Sequence, residues 1–238
     1  MIDWFLNLEW QAIVQIILID ILLGGDNAVI IALACRNLPP KHRRLGIIWG
    51  AAGAIVLRVI LITVAVAMLQ VPLLKLVGGL LLLWIGVKLL VPANDGHAHD
   101  GLHASDRLLA AIKTIIVADF VMSLDNVVAI AGAAEHADPS QRTGLIIFGL
   151  LVSVPFIVVG SQLILKMLDR FPIIVTLGAA LLGWIAGGLI VGDPILASVV
   201  PAGTVIHYSA SAAGAVFVVV LARWLARRRG AAGTTAQP

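Results

Sequence analysis

The sequence predicts an all-α membrane protein: seven transmembrane helices, built as a 3+3 inverted repeat plus a C-terminal seventh helix. Three observations predict this. Of 238 residues, 61% are hydrophobic and the mean hydropathy is +1.06, whereas soluble domains are roughly 45–50% apolar. The hydrophobicity is divided into several runs of about the twenty residues that a bilayer crossing needs, which excludes a soluble protein with one anchor. The third observation is that one arrangement of polar residues occurs twice inside this apolar background.

Taken in order, the expected spans are 12–35, 46–69, 73–91, 108–134, 144–167, 173–191 and 205–225. Trp4 and Trp10 precede the first and Trp224 closes the last, as interfacial anchors do. Asp3 and Glu9 stand where a cleavable signal would have a basic region, so none is expected. Basic residues alternate between the two sides. Arg36, Lys41, Arg43 and Arg44 fill the first connection, Lys166 and Arg170 the fifth, and Arg223, Arg227, Arg228 and Arg229 follow the last span. The connections around Val71, from Glu135 to Gln141 and from Gly192 to Thr204 have no Lys or Arg. The excess of positive charge on cytoplasmic loops therefore predicts an outside N-terminus and a cytoplasmic C-terminus.

The repeat is carried by DILLGGDNAVIIALA, Asp20 to Ala34, and DFVMSLDNVVAIAGA, Asp119 to Ala133. Asp20 matches Asp119, Asp26 matches Asp125 and Asn27 matches Asn126. Val29, Ile31, Ala32 and Ala34 find Val128, Ile130, Ala131 and Ala133. Apolar identity between membrane helices arises cheaply by chance; three polar residues at one spacing do not. The likeness continues with GIIWG (Gly46 to Gly50) and GLIIFG (Gly144 to Gly149), one residue longer. It ends with Pro72, Gly78, Leu81, Leu82, Trp84 and Ile85 on Pro172, Gly178, Leu181, Leu182, Trp184 and Ile185. Three spans per copy is odd, so the second copy must enter the bilayer reversed, as in many secondary transporters.

The expected organisation is a first repeat at 1–91, a cytoplasmic linker at 92–107 and a second repeat at 108–191. An outside loop with the seventh helix occupies 192–225, and a basic disordered tail 226–238. The linker holds His97, His99, His103, Asp100 and Asp106. Clustered His and Asp can bind divalent ions, but a solvated loop is the plainer expectation. Single Cys35 excludes an internal disulfide and most thiolate metal sites. The pI near 9.4 would fit nucleic acid as a partner, yet the basic residues lie between apolar spans, where topology explains them.

A charge at the centre of a membrane helix costs roughly 2.5–3.5 kcal/mol on insertion scales, so each such residue is a functional candidate. On an ideal helix Asp20 and Asn27 share a face, with Asp26 about 100° from Asn27. Gly24 and Gly25 are candidates for a helix break that would turn carbonyls and Asp26 toward one spot, tolerated only beside protein or a cavity. Bringing Asp20, Asp26, Asn27, Asp119, Asp125 and Asn126 together gives an all-oxygen set. Such sets suit Mg2+, Ca2+ or Mn2+ rather than Zn2+ or Cu2+, with Met122 the one soft contact at hand. Four bare carboxylates cannot all stay ionised in an empty apolar pocket, so proton and cation binding should compete and give a route to exchange. Arg58, near the middle of the second span, is expected to pair with a site Asp when no ion is bound, or to gate. Pro155 and Phe156 stand at its depth in the fifth span. Lys75, Lys88, Lys113 and Lys166 lie near span ends and are expected to snorkel.

GGDNAV (Gly24 to Val29) and DFVMSLDNVVAIAG (Asp119 to Gly132), set within seven spans, resemble the TerC family of integral membrane proteins. The compact form is similar to the branch that includes bacterial manganese exporters. The resemblance implies Mn2+ as transported ion, the Asp and Asn of both motifs as its ligands, no prosthetic group, no enzymatic activity and a bacterial inner membrane location. Some relatives are linked by name to tellurite resistance or to membrane-protein insertion, so an accessory role in inserting or metallating exported proteins is the main alternative. An intramembrane aspartyl protease is the other, but its motif wants Gly where Leu23 stands and has no use for the carboxamides.

Overall fold

Within hydrocarbon every backbone N–H and C=O must find a partner inside the chain, so long apolar runs become helices. The structure, a computed structural model, describes residues 10–69, 71, 73–91, 104–134, 142–196 and 203–234. Among these there are eight helices and no strand: α1 (Trp10–Leu23), α2 (Gly25–Cys35), α3 (Pro40–Leu69), α4 (Leu74–Leu90), α5 (Ala104–Ala134), α6 (Arg142–Arg170), α7 (Pro172–Val191) and α8 (Thr204–Thr234). Four of them contain segments long and apolar enough to cross a bilayer: Pro40–Ile62, Thr143–Arg170, Pro172–Val191 and Thr204–Arg228. The pair α1 and α2, bent by 46°, makes a fifth if it is one broken span. The remaining two, α4 and α5, stand where further spans are expected; α4 has 17 residues, about 25 Å of helix against about 30 Å of hydrocarbon.

Helix ends explain most departures from the expected boundaries. α3 starts at Pro40, ahead of its apolar run, because proline at the first position loses no intrahelical bond. Arg43 then donates to the carbonyls of Arg36 (2.7 Å) and Leu38 (2.9 Å), just past the end of α2, and to Asp169 on α6 (2.9 Å). α8 runs on to Thr234, through most of the stretch 226–238 read from sequence as a disordered tail; Ala and Arg there are strong helix formers. The linker residues His97, His99, Asp100 and His103 lie outside the described residues, and Asp106 is in the first turn of α5, where a carboxylate suits the helix dipole.

α3 packs along α5, the α1–α2 pair along α6, and α4 along α7; α8 lies against α7 and α4. The contacts are reciprocal between the two copies. A Cβ on Gly50 of α3 would come 2.5 Å from the Ile115 side chain of α5, and one on Gly149 of α6 would come 2.6 Å from Ile16 of α1. The register that pairs Asp20 with Asp119 also pairs Ile16 with Ile115 and Gly50 with Gly149. Outside this arrangement, α7 and α8 touch backbone to backbone: a Cβ on Gly183 would lie 2.4 Å from the Gly214 carbonyl oxygen, and one on Gly214 2.2 Å from that of Gly183. Small residues let membrane helices approach this closely, and dispersion then replaces the hydrophobic drive that lipid does not supply.

One interlock joins the halves outside the spans. α4 begins after Leu73, which is left-handed (φ 69°) and has no side-chain acceptor to cap the helix. The free N–H groups are taken instead by Asp193, beyond the end of α7: its carboxylate accepts from Leu73 (3.2 Å), Leu76 (3.0 Å) and Ile195 (2.9 Å). Asp193 is fully buried. Burial opposes its charge, but the N–H donors of Ile195, Leu76, Leu73 and Lys75 outweigh this and hold the carboxyl below the usual range.

Candidate functional site

The two copies meet at their first aspartates. Asp20 on α1 and Asp119 on α5 are 1% and 4% exposed, and Arg58 of α3 lies between them at 2%. One guanidinium NH2 group donates to Asp20 and the other to Asp119 (2.6 Å), while Nε donates to the Ser123 hydroxyl (3.2 Å). Ser123 in turn donates to the second oxygen of Asp119 (3.1 Å). The second oxygen of Asp20 meets the hydroxyl of Ser153 on α6, which also lies 2.8 Å from the Leu150 carbonyl. With one proton, Ser153 serves one of these acceptors at a time. Two carboxylates and one guanidinium, if ionised, leave one negative charge unbalanced in a low-dielectric surround.

The local backbone explains the approach. The chain breaks at Gly24, between α1 and α2, and a Cβ at that position would fall 2.4 Å from the carbonyl oxygen of Asp20. Gly25 has open space around it, so Gly24 is the position at which the break excludes a side chain. Past it, Asp26 sits in the first turn of α2, its carboxylate accepting the Asn27 N–H at 2.8 Å, within electrostatic reach of Arg58 and Asp119. Asn27 is 4% exposed, and both polar atoms of its side chain have no hydrogen-bond partner. An orphaned carboxamide at that depth costs about 1–3 kcal/mol unless something supplies a partner.

The structure thus gathers Asp20, Asp119 and Arg58, with Asp26 at the edge and Asn27 buried nearby in sequence. Asn126 is half-buried on α5, and the side chain of Asp125 lies outside the described residues. Among the described residues no three side chains of His, Cys, Asp or Glu come together in a way that holds a metal; the space between the two aspartates is taken by the guanidinium. Ser123, Ser153 and Asp193 are absent from the residues singled out by sequence. Ser123 carries a readable signal, one turn after Asp119, and Ser153 is a polar residue in an apolar run. Asp193, in a connection, has none. The matching register also sets Arg58 against Ile157 in the second copy, one residue beyond Phe156.

Comparison with known proteins agrees with this picture of a membrane chain. The uncharacterised membrane protein YjbE of Bacillus subtilis (strain 168) is 43% identical over 182 residues, 76% of this chain and 80% of its own. The uncharacterised membrane protein YceF of the same organism is 22% identical, covering 75% of this chain and 70% of its own. The UPF0053 inner membrane protein YgdQ of Escherichia coli (strain K12) is 28% identical, covering 60% and 67%. No solved structure matches the chain. The family model described as integral membrane protein TerC family matches residues 5–230, so this chain belongs to the TerC family of integral membrane proteins.

Proposed function

We propose that the chain is a membrane transporter that exports a hard divalent cation, Mn2+ above all, through a site between two inverted three-span repeats, in exchange for protons. The observation that carries the reading is the convergence of Asp20 and Asp119, equivalent residues of the two copies, on one buried counter-charge. The reciprocal seating of Gly50 on Ile115 and Gly149 on Ile16 supports the seven-span, 3+3 arrangement, with α1 and α2 forming the first span and α8 the seventh. Basic connections support an outside N-terminus and a cytoplasmic C-terminus in a bacterial inner membrane.

In this mechanism Arg58 is a tethered cation. It neutralises Asp20 and Asp119 while no cargo is present, since unpaired buried carboxylates cost several kcal/mol each. Cargo binding displaces the guanidinium, and the oxygens of Asp20, Asp119, Asp26, Asp125, Asn27 and Asn126 take over as ligands; the partnerless Asn27 carboxamide is suited to a cation it does not have to be freed for. The deficit of positive charge left by one Arg against the acidic residues favours a divalent ion or protons, so each drives off the other.

The test is Mn2+ uptake into vesicles containing only the purified protein, with and without an opposing pH gradient. Uptake that depends on the gradient, and falls to background in Asp26→Ala and Asp125→Ala, is expected. Uptake unchanged in both variants removes the site; no uptake by any vesicle preparation favours the accessory role.

A further inference from the structure

Between α4 and α8 runs a groove of about 570 Å3 whose walls are Leu80, Leu83, Trp84 and Val87 on one side and Phe217 and Leu221 on the other. It opens to the bilayer: Trp84 is 57% and Phe217 50% exposed. An apolar groove facing lipid holds neither water nor vacuum, so an acyl chain fills it. Its two ends differ. Lys88, in the last turn of α4, lines one end with its ammonium 4.8 Å from the centre of the Trp84 ring. Leu225 of α8 lines the same end, and one turn further Arg228 stacks on Trp224 at 3.8 Å; Phe217, Leu221, Leu225 and Arg228 follow one face at helical spacing. Among the described residues neither Lys88 nor Arg228 pairs with a carboxylate.

We infer that the α4–α8 groove is a binding site for one anionic phospholipid, an acyl chain lying between Trp84 and Phe217 and the headgroup phosphate held by Lys88 and Arg228. Apolar lining with a few convergent polar groups is the usual form of a ligand site, and this volume is in the usual range. Basic pockets between membrane helices take anionic headgroups. A zwitterionic lipid satisfies the groove equally well but brings its own cation to the two already there, so charge decides the class.

The test uses the full-length protein in detergent, offered phosphatidylglycerol or phosphatidylcholine of matched chains, with retained lipid read by native mass spectrometry. The wild type is expected to retain one phosphatidylglycerol with about tenfold preference, each cation contributing about three- to fivefold. Lys88→Gln with Arg228→Gln should bring the preference near one, while Arg44→Gln, at an exposed position on α3, leaves it intact. Leu80→Trp, an exposed change that fills the groove, should reduce retention of both lipids. Equal retention by the wild type, or a preference that survives loss of both cations, overturns the proposal. So does a dimer that Leu80→Trp dissociates, because the groove then holds a second copy of the chain.

Discussion

Asp20 and Asp119 occupy the same place in the two copies and share one guanidinium, yet their surroundings are unlike. Asp119 sits on an unbroken helix and receives its second hydrogen bond from Ser123, one turn along the same helix. Asp20 is followed by a break at Gly24 and receives its second from Ser153 on a different helix, α6. Gly24 and Ser123 are equivalent positions. One residue thus decides whether the copy satisfies its aspartate internally or borrows a donor from the other half. The same spacing of polar residues therefore produces one fixed side of the site and one that depends on how the halves are packed.

The largest expected effect comes from removing the shared group. Arg58→Met leaves two buried carboxylates uncompensated and should lower stability by about 3–5 kcal/mol, read as a fall in thermal midpoint and folded yield in detergent. Adding Asp20→Asn and Asp119→Asn should restore most of it. A triple variant no more stable than Arg58→Met would show that charge pairing is not what the cluster contributes. Next, Ser123→Ala, which removes bonds to both Arg58 and Asp119, is expected to cost about 2–3 kcal/mol and Ser153→Ala, which removes the one to Asp20, about 1–2, since hydrogen bonds to charged groups rank above neutral ones; no loss in Ser153→Ala would remove the borrowed donor and with it the asymmetry.

Gly24→Ala places a methyl against the Asp20 carbonyl and should cost about 1 kcal/mol, with faster amide hydrogen exchange at residues 24–28. The mirror substitution, Ser123→Gly, should change exchange on α5 less, because no break is there to disturb. The smallest effect concerns the clasp outside the spans. Asp193→Asn should cost about 1 kcal/mol at neutral pH, the scale of a lost helix cap. The folded-state pKa of Asp193 is depressed, so its contribution is complete above the unfolded value near 3.9 and is lost as pH falls through the lower folded value. Wild type and variant should therefore converge in stability only below about pH 4. A gap that persists at lower pH would mean that the charge of Asp193 is not the source of its effect.

Much of the molecule was legible because lipid enforces simple rules. Six of the expected spans fall on one helix each and the first on the pair α1 and α2, since an apolar run in lipid has no other way to pair its backbone; four of these helices, or five with that pair taken as one, are long and apolar enough to cross a bilayer. Boundaries were less legible where helices continue into water: α3 gains its first turn from Pro40, and α8 keeps its form through Arg229 on intrinsic propensity. Within the site, the pairing of Asp20 with Asp119 and the break beside Gly24 could be anticipated from duplication and from two adjacent glycines. That both aspartates would be held by the same Arg58, and that Ser153 would cross from another helix, depends on packing between segments far apart in sequence. Hydrophobic spacing contains no trace of that. Asp193 illustrates the extreme, since its role is set by what α4 lacks at its own start.

The backbone contact between Gly183 and Gly214 fastens α8 to α7 with no side chain in between to slide or rotate. α4 packs along α7 as well, so a side chain added at Gly183 or Gly214 would push α8 away from the other two helices together. The crevice between α4 and α8 would then widen, and whichever molecule occupies it would be held less tightly, so one pair of glycines far from the aspartates sets the width of that opening.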